Sequence, residues 1–419
     1  MPSPARPHAA SAWLNVTAKL GGTVLSFALY LAMARLLDPR GFADVAVALA
    51  WITVGSALCS VSLPLALVRF VPEQLAAGRP DLARGAAQFS IALTVGLAAA
   101  AAIVAAVLAG AGAVKLRPEL VRTALLSAAI LVPSVLLLDF AGLLTALKRA
   151  LASELLVNVT RPLLLLVLLG WLWLQSRALL SASTVMAAYL AASLVMVPVC
   201  ASYCVRTLPT EMSRAPAIYD VRGWMRIAGG FMAAALASAL YERVDLLVMG
   251  WTAPGAEIAA YAVAARFGQT VVVAASAANA VMAPYLVERL PQVQRGQHSE
   301  VQPLLRDTAR TALYVSLVAL AAFGLAGPLI LKLFGPAYER AYVPLVIIAA
   351  GQVVAACFGP AAGVATLAGA PRIAVMGLIT GAVLNACLNM ALVPHWGAVG
   401  AAIATASAIT CASVVAWTA

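Results

Sequence analysis

Residues 373–419 read IAVMGLITGAVLNACLNMALVPHWGAVGAAIATASAITCASVVAWTA, 47 positions without one Asp, Glu, Lys or Arg. The only interruption is the turn Pro394-His395-Trp396-Gly397. A bilayer crossing needs about 20 mostly apolar residues, so this stretch supplies two crossings joined by a tight hairpin. The same grammar runs back to the N-terminus. Uncharged runs and their flanking charges give twelve spans, at 12–36, 43–68, 86–111, 121–146, 155–175, 179–205, 224–250, 258–287, 309–332, 341–368, 373–393 and 397–418. The expected class is all-α and integral to the membrane, in two six-helix lobes over 1–208 and 224–419 with a cytoplasmic linker over 209–223.

Composition agrees. Of 419 residues 63% are hydrophobic and 10% charged, and the mean hydropathy is +0.98; a water-soluble domain carries about a quarter charged residues. The spans are rich in Ala, Leu and Val with scattered Gly, which permits close helix packing in lipid. Alternating hydrophobicity at ten-residue intervals, the mark of a membrane barrel, is absent. The first apolar run is long, lacks a convincing cleavage site and reads as a transmembrane helix, not a signal peptide. A net charge of +11 does not point to nucleic acid, because the basic residues form no stripe and sit in short loops. With the N-terminus inside, 16 Lys and Arg fall on the cytoplasmic side and 8 on the other, leaving Lys19, Arg243 and Arg266 within spans. The positive-inside rule then places both termini in the cytoplasm, and a bacterial inner membrane is expected.

The chemistry of enzymes is missing from the pattern. The longest breaks, about 206–223 and 288–308, are too short for a soluble catalytic domain, which needs at least about 50 residues. Cys59, Cys200, Cys204, Cys357, Cys387 and Cys411 all lie in apolar runs with no zinc spacing, and small packing residues explain them. No nucleophile–base pair, phosphate loop or metal cluster stands out, and His8, His298 and His395 have no partner near in sequence. No cofactor and no metal is expected, and the protein is not expected to be an enzyme.

The halves echo each other. Asp38-Pro39-Arg40-Gly41 joins the first two spans and Ala253-Pro254-Gly255-Ala256 the seventh and eighth. Val68-Arg69-Phe70-Val71-Pro72 follows the second span and Val287-Glu288-Arg289-Leu290-Pro291 the eighth. Parallel six-helix repeats of this kind occur in secondary transporters.

Several motifs carry a family resemblance. They are Ala34-Arg35-Leu36-Leu37-Asp38-Pro39-Arg40-Gly41-Phe42, then Val68-Arg69-Phe70-Val71-Pro72-Glu73, then Asp245-Leu246-Leu247-Val248-Met249-Gly250 with Tyr261-Ala262-Val263-Ala264. Leu333-Phe334-Gly335-Pro336-Ala337-Tyr338 and Leu384-Asn385-Ala386-Cys387-Leu388-Asn389-Met390 with Gly397-Ala398-Val399-Gly400-Ala401-Ala402 complete the set. In this order the chain resembles the oligosaccharide and polysaccharide flippase branch, O-antigen flippases included, of the multidrug/oligosaccharidyl-lipid/polysaccharide exporter superfamily. Two departures stand out: Asp38 replaces the usual Gly before Pro39, and Ala43-Asp44-Val45 replaces the usual Gly-Leu-Tyr. The resemblance implies alternating access between two six-helix lobes. It implies a polyprenyl-pyrophosphate-linked oligosaccharide or exopolysaccharide precursor as substrate, with membrane lipids and other polysaccharide-assembly proteins as partners. Rivals are a peptidoglycan-precursor flippase or multidrug exporter of the same superfamily. A membrane-embedded glycan polymerase, the rival from another class, needs a large outer loop that this chain lacks.

Ionisable groups at membrane depth cost about 2.5–3.5 kcal/mol by insertion scales and face cavities or partners. Span seven carries Glu242, Arg243 and Asp245, and span eight carries Arg266. Glu242 and Arg266 each lie about eight residues from the short outer hairpin, roughly 12 Å deep, so Arg266 is expected to pair with Glu242 or Asp245. Either this is a structural ion pair, or Arg243 and Arg266 draw an anionic substrate, since the guanidinium fork suits phosphate. Glu242 or Asp245 could instead bind H⁺ or Na⁺ for coupling. Lys19 either snorkels to the cytoplasmic surface or adds to the anion site. Glu154, Asn158 and Arg161 recur at i, i+4 and i+7 on span five; a local Glu–Arg contact or a vestibule gripping headgroups explains them. Asp139, alone on span four, is protonated, capped by a neighbour, or part of the coupling path. Asn279, Asn385 and Asn389 read as interhelical hydrogen bonds, worth about 0.6 kcal/mol each.

Overall fold

The computed structural model describes residues 6–110, 118–269, 271, 302–358, 365 and 370–418. Every regular element among them is helical. Backbone groups in lipid must be satisfied within the segment, and helices do this alone. The first helices are α1 (Arg6–Leu36), α2 (Pro39–Ser60), α3 (Leu63–Ala76), α4 (Pro80–Gly110) and α5 (Pro118–Ala146). They are followed by α6 (Ala150–Ser176), α7 (Ala182–Thr207) and the short α8 (Thr210–Arg214). Then come α9 (Val221–Thr252), α10 (255–269), α11 (Gln302–Lys332) and α12 (Tyr342–Ala356). The run Pro371–Thr418 is two helices, α13 before Gly397 and α14 after it.

Among the described residues, nine stretches are long and apolar enough to cross a membrane, and the last of them holds both α13 and α14. The expected all-α membrane class stands. Expected spans eight and ten run partly outside the described residues, as do Asn279, His298 and the echo at 287–291.

The chain divides into two compact units, Met1–Leu236 and Ala237–Ala419, so the boundary falls inside α9. In the first unit a core of Leu67, Phe70, Leu137, Leu144, Met196 and Trp224 joins α3, α5, α7 and the start of α9. Segment 208–223 belongs to this unit too. Arg84 of α4 donates through Nη1 to the carbonyls of Ser213 and Ala215, 2.7 Å each. The Ile218 amide donates to the Asp81 carbonyl at 3.2 Å, the Tyr219 hydroxyl to Gln88 at 3.0 Å, and Met212 is buried. Those bonds tie the segment down along α4.

Three local features depart from regular spans. The second expected span, 43–68, is broken: Val61 and Ser62 take left-handed conformations (φ 48° and 57°) and the chain restarts as α3. Gly142 of α5 packs against the Pro64 backbone just after the break, where a side chain would collide. α6 contains a π turn over Leu155–Thr160. Pro162 has no amide hydrogen to return to the Asn158 carbonyl, and that carbonyl abuts Gly22 of α1. Finally, Asp38, the departure from the family's Gly, is the N-cap of α2: its Oδ1 accepts from the Gly41 amide at 3.3 Å. Such a carboxylate satisfies an amide the helix leaves unpaired.

Candidate functional site

Among the described residues each unit buries one aspartate: two hydroxyls satisfy that of the first unit, and a hydroxyl with a backbone amide that of the second. In the first unit Asp139 on α5 is 1% exposed. Its Oδ1 accepts from Ser90 at 2.6 Å and its Oδ2 from Thr94 at 2.5 Å. Ser90 and Thr94 stand one helical turn apart on α4, so both reach the same neighbour. Of the three readings left open for Asp139, capping by a neighbour is present.

Arg161 lies at the end of the π turn. Its guanidinium carbon is 4.5 Å from the centroid of the Tyr189 ring, and Nη2 donates to Ser193 at 3.0 Å. Tyr189 and Ser193 are again one turn apart, on α7. The Nε of Arg161 is buried without a hydrogen-bond partner. The local Glu154–Arg161 contact expected from the spacing is not formed among the described residues. The π turn spreads residues beyond the 3.6 period on which that expectation rested. Lys19 is exposed on α1.

In the second unit Asp245 on α9 is buried. Its Oδ1 accepts from the Leu246 amide at 2.7 Å, and its Oδ2 from the hydroxyl of Tyr261 on α10. The Tyr261 hydroxyl also meets Thr405 Oγ1 of α14 at 2.8 Å. Three helices are thus pinned by one chain of oxygens. Beside α9, Asn385 of α13 donates to the Tyr241 carbonyl at 3.4 Å, and Asn389 donates to both the carbonyl and the side-chain oxygen of Asn385 at 2.8 Å. The Oδ1 of Asn389 is buried without a partner.

The expected pairing of Arg266 with Glu242 or Asp245 is not found among the described residues. Arg266 donates to Gln269 at 3.0 Å, and both oxygens of Asp245 are taken by Leu246 and Tyr261. Counting depth from the hairpin located these groups along the helix axes but not around them: Glu242 is exposed while Asp245, three residues on, is buried. Arg243 between them is half-buried, with its Nε lacking a partner. Among the described residues no group of three His, Cys, Asp or Glu side chains gathers to hold a metal.

Sequence reasoning missed the hydroxyl partners Ser90, Thr94, Tyr189, Ser193, Tyr261 and Thr405. Hydroxyls at i and i+4 on an otherwise apolar helix are the signal that would have found the pairs on α4 and α7. Cys200 and Cys204, read as packing residues, lie in the buried core of the first unit.

Residues 9–289, more than half of the chain, match the family model described as polysaccharide biosynthesis protein. The chain belongs to that family. No curated protein matches the sequence. Solved structures share the fold. A multidrug resistance transporter of the MATE family, of the MOP superfamily, in an inward-facing conformation is 15% identical at a TM-score of 0.74, covering 97% of this chain and 96% of its own. The lipid II flippase MurJ, in an inward closed conformation, is 11% identical at a TM-score of 0.74, covering 96% and 86%. A MOP superfamily transporter from Pyrococcus furiosus is 14% identical at 0.66, covering 97% and 93%. This family member is a multi-pass membrane protein with the helical fold of the superfamily's transporters and flippases.

Proposed function

We propose that the protein flips a polyprenyl-pyrophosphate-linked oligosaccharide or exopolysaccharide precursor across the inner membrane. The family match over residues 9–289 carries this reading, and the likeness to a lipid II flippase supports it. Both termini lie in the cytoplasm, and the two six-helix lobes open alternately to either side. The protein is a transporter and not an enzyme, and it works beside other polysaccharide-assembly proteins. Arg161, Arg243, Arg266 and Lys19 attract the pyrophosphate, an arrangement favoured because a planar guanidinium gives phosphate two hydrogen bonds. Arg161 is best supported, since Tyr189 and Ser193 fix its plane while its Nε is uncommitted. H⁺ or Na⁺ drives the cycle through Asp245 or Asp139, with Glu242 and Glu154 as further coupling candidates.

The test is genetic. Deleting the gene should make lipid-linked repeat units accumulate on the cytoplasmic leaflet, and the wild-type chain should clear them. Normal export with both Arg243→Ala and Arg266→Ala in place would end the assignment of those two arginines to the substrate. Drug extrusion is the second reading, favoured by the equal likeness to the MATE transporter. It predicts that deletion lowers drug tolerance while the lipid-linked units are distributed normally.

A further inference from the structure

Among the described residues, the two oxygens of Asp139 are bonded by two neutral hydroxyls, Ser90 and Thr94. The oxygen of Thr94 faces two acceptors at once, Asp139 Oδ2 at 2.5 Å and the Ile91 carbonyl at 3.3 Å. A hydroxyl has one proton and can donate to one of them strongly. Two states therefore fit the same heavy atoms. With Asp139 ionised, Thr94 donates to Oδ2 and Ser90 to Oδ1. With Asp139 neutral, its own O–H donates to Thr94 Oγ1 and Thr94 turns its proton to the Ile91 carbonyl, while Ser90 still donates to Oδ1. The added proton is accommodated by rotating one hydroxyl.

We propose that Asp139, Ser90 and Thr94 form a proton-binding site of the first unit, separate from Asp245 in the second. One proton joins Oδ2 and leaves from it; no other bond changes. The surroundings favour this over a permanently charged structural link. A buried carboxylate without a paired cation is costly, and groups in that position commonly shed the charge instead. Among the described residues, none of the cations on the helices that pack against α5 is ion-paired or hydrogen-bonded to Asp139. On α4, Arg84 is bonded to Ser213 and Ala215, and Arg79 lies 4.0 Å from Asp81. On α3, Arg69 meets Glu73 at 3.6 Å. On α6, Arg161 is held by Tyr189 and Ser193. α7 brings the thiols of Cys200 and Cys204, the latter directed at the Phe140 carbonyl at 3.9 Å, with Tyr203 and Arg206 nearer the helix end. α2 brings Cys59, with Arg40 and Asp44 in its first two turns. Asp139 bonds none of these.

A metal cation suits the site less well than a proton. Hard cations take about six oxygen ligands, whereas here three side chains already touch at hydrogen-bond distance, with no room between them. The inference deepens the coupling part of the transport reading, yet binding is measured without any substrate.

The experiment is acid-minus-neutral infrared difference spectroscopy of the purified full-length chain in lipid nanodiscs. Wild type should show the carbonyl band of a neutral carboxylic acid that is lost in Asp139→Asn and kept in Asp245→Asn. Thr94→Val should shift that band and Thr94→Ser restore it. Identical spectra for wild type and Asp139→Asn would overturn the proposal. If Asp139→Asn does not fold, an unshifted band in both Thr94→Val and Ser90→Ala would overturn it equally. A lasting Asp139 band in a protein whose deletion leaves lipid-linked units undisturbed would sink the substrate reading and leave the proton site standing.

Discussion

The guanidinium of Arg161 lies over the ring of Tyr189, 4.5 Å from its centroid, with Ser193 holding one edge at 3.0 Å. Two contacts from one helix fix a long side chain that would otherwise sample many rotamers. A cation over an aromatic face contributes about 0.5–2 kcal/mol, and a hydrogen bond from a charged donor about 1.5–3 kcal/mol.

Tyr189→Leu should therefore leave the charge but loosen its placement. Export of the lipid-linked unit should fall several-fold in Tyr189→Leu and further in Arg161→Ala, with Arg161→Lys close to Arg161→Ala because lysine lacks the planar fork. The measurement is the ratio of cytoplasmic to outer-leaflet lipid-linked units. Full export with Arg161→Ala would show that the arrangement only braces α6 against α7.

The chain of oxygens from Asp245 through Tyr261 to Thr405 makes a second prediction. Tyr261→Phe removes a hydroxyl shared by the buried Asp245 and the half-buried Thr405, so destabilisation of about 1–3 kcal/mol is expected. Thr405→Val should cost less, because Tyr261 keeps Asp245. Thermal unfolding in detergent of both single variants and the double variant checks this. The double variant should be no worse than Tyr261→Phe plus a small increment, since the groups share one network.

Much of this architecture was legible in the residues. Uncharged runs such as 373–419 announce helices because lipid tolerates no other spanning backbone of this composition, and Asp38 before Pro39 announces a cap. The break at Val61-Ser62 was passed over although Pro64 signals it: its ring has no amide hydrogen for the Ser60 carbonyl and suits the start of a new helix. Only the close approach of Pro64 to Gly142 on another helix had no signal in the sequence. The candidate site was half legible for a related reason. Charge at depth marks Asp139 and Asp245, and helical spacing marks Arg161, as residues in need of partners, but Ser, Thr and Tyr partners carry no charge and are common in apolar helices. Coulomb reasoning therefore matched Arg266 to Glu242, which is exposed, or to Asp245, which a tyrosine bonds.

Segment 208–223 offers a test of its attachment to α4. Arg84 donates to two backbone carbonyls, and no other residue type reaches both from one planar head so readily. Arg84→Ala should free the segment and speed tryptic cleavage after Arg214, while Arg84→Lys should be intermediate. Limited proteolysis followed by mass measurement reads this directly. Equal cleavage in wild type and Arg84→Ala would show that the burial of Met212 alone holds the segment.

Gly397 joins α13 to α14 at φ 52° and ψ −128°, a conformation open to glycine and strained for other residues. A methyl there would also lie 2.8 Å from Glu257 Oε2, the oxygen that accepts the Ala398 amide at 3.0 Å and so caps α14. Gly397→Ala thus meets backbone strain and displaces a cap together. Strain in such regions costs about 1–3 kcal/mol and loss of a cap about 1 kcal/mol. Glu257→Gln keeps an acceptor for the Ala398 amide, so its unfolding temperature should stay near wild type, whereas Gly397→Ala should unfold clearly earlier. A Gly397→Ala protein as stable as wild type would mean that the hairpin relaxes at no cost and that the glycine is not what sets the turn.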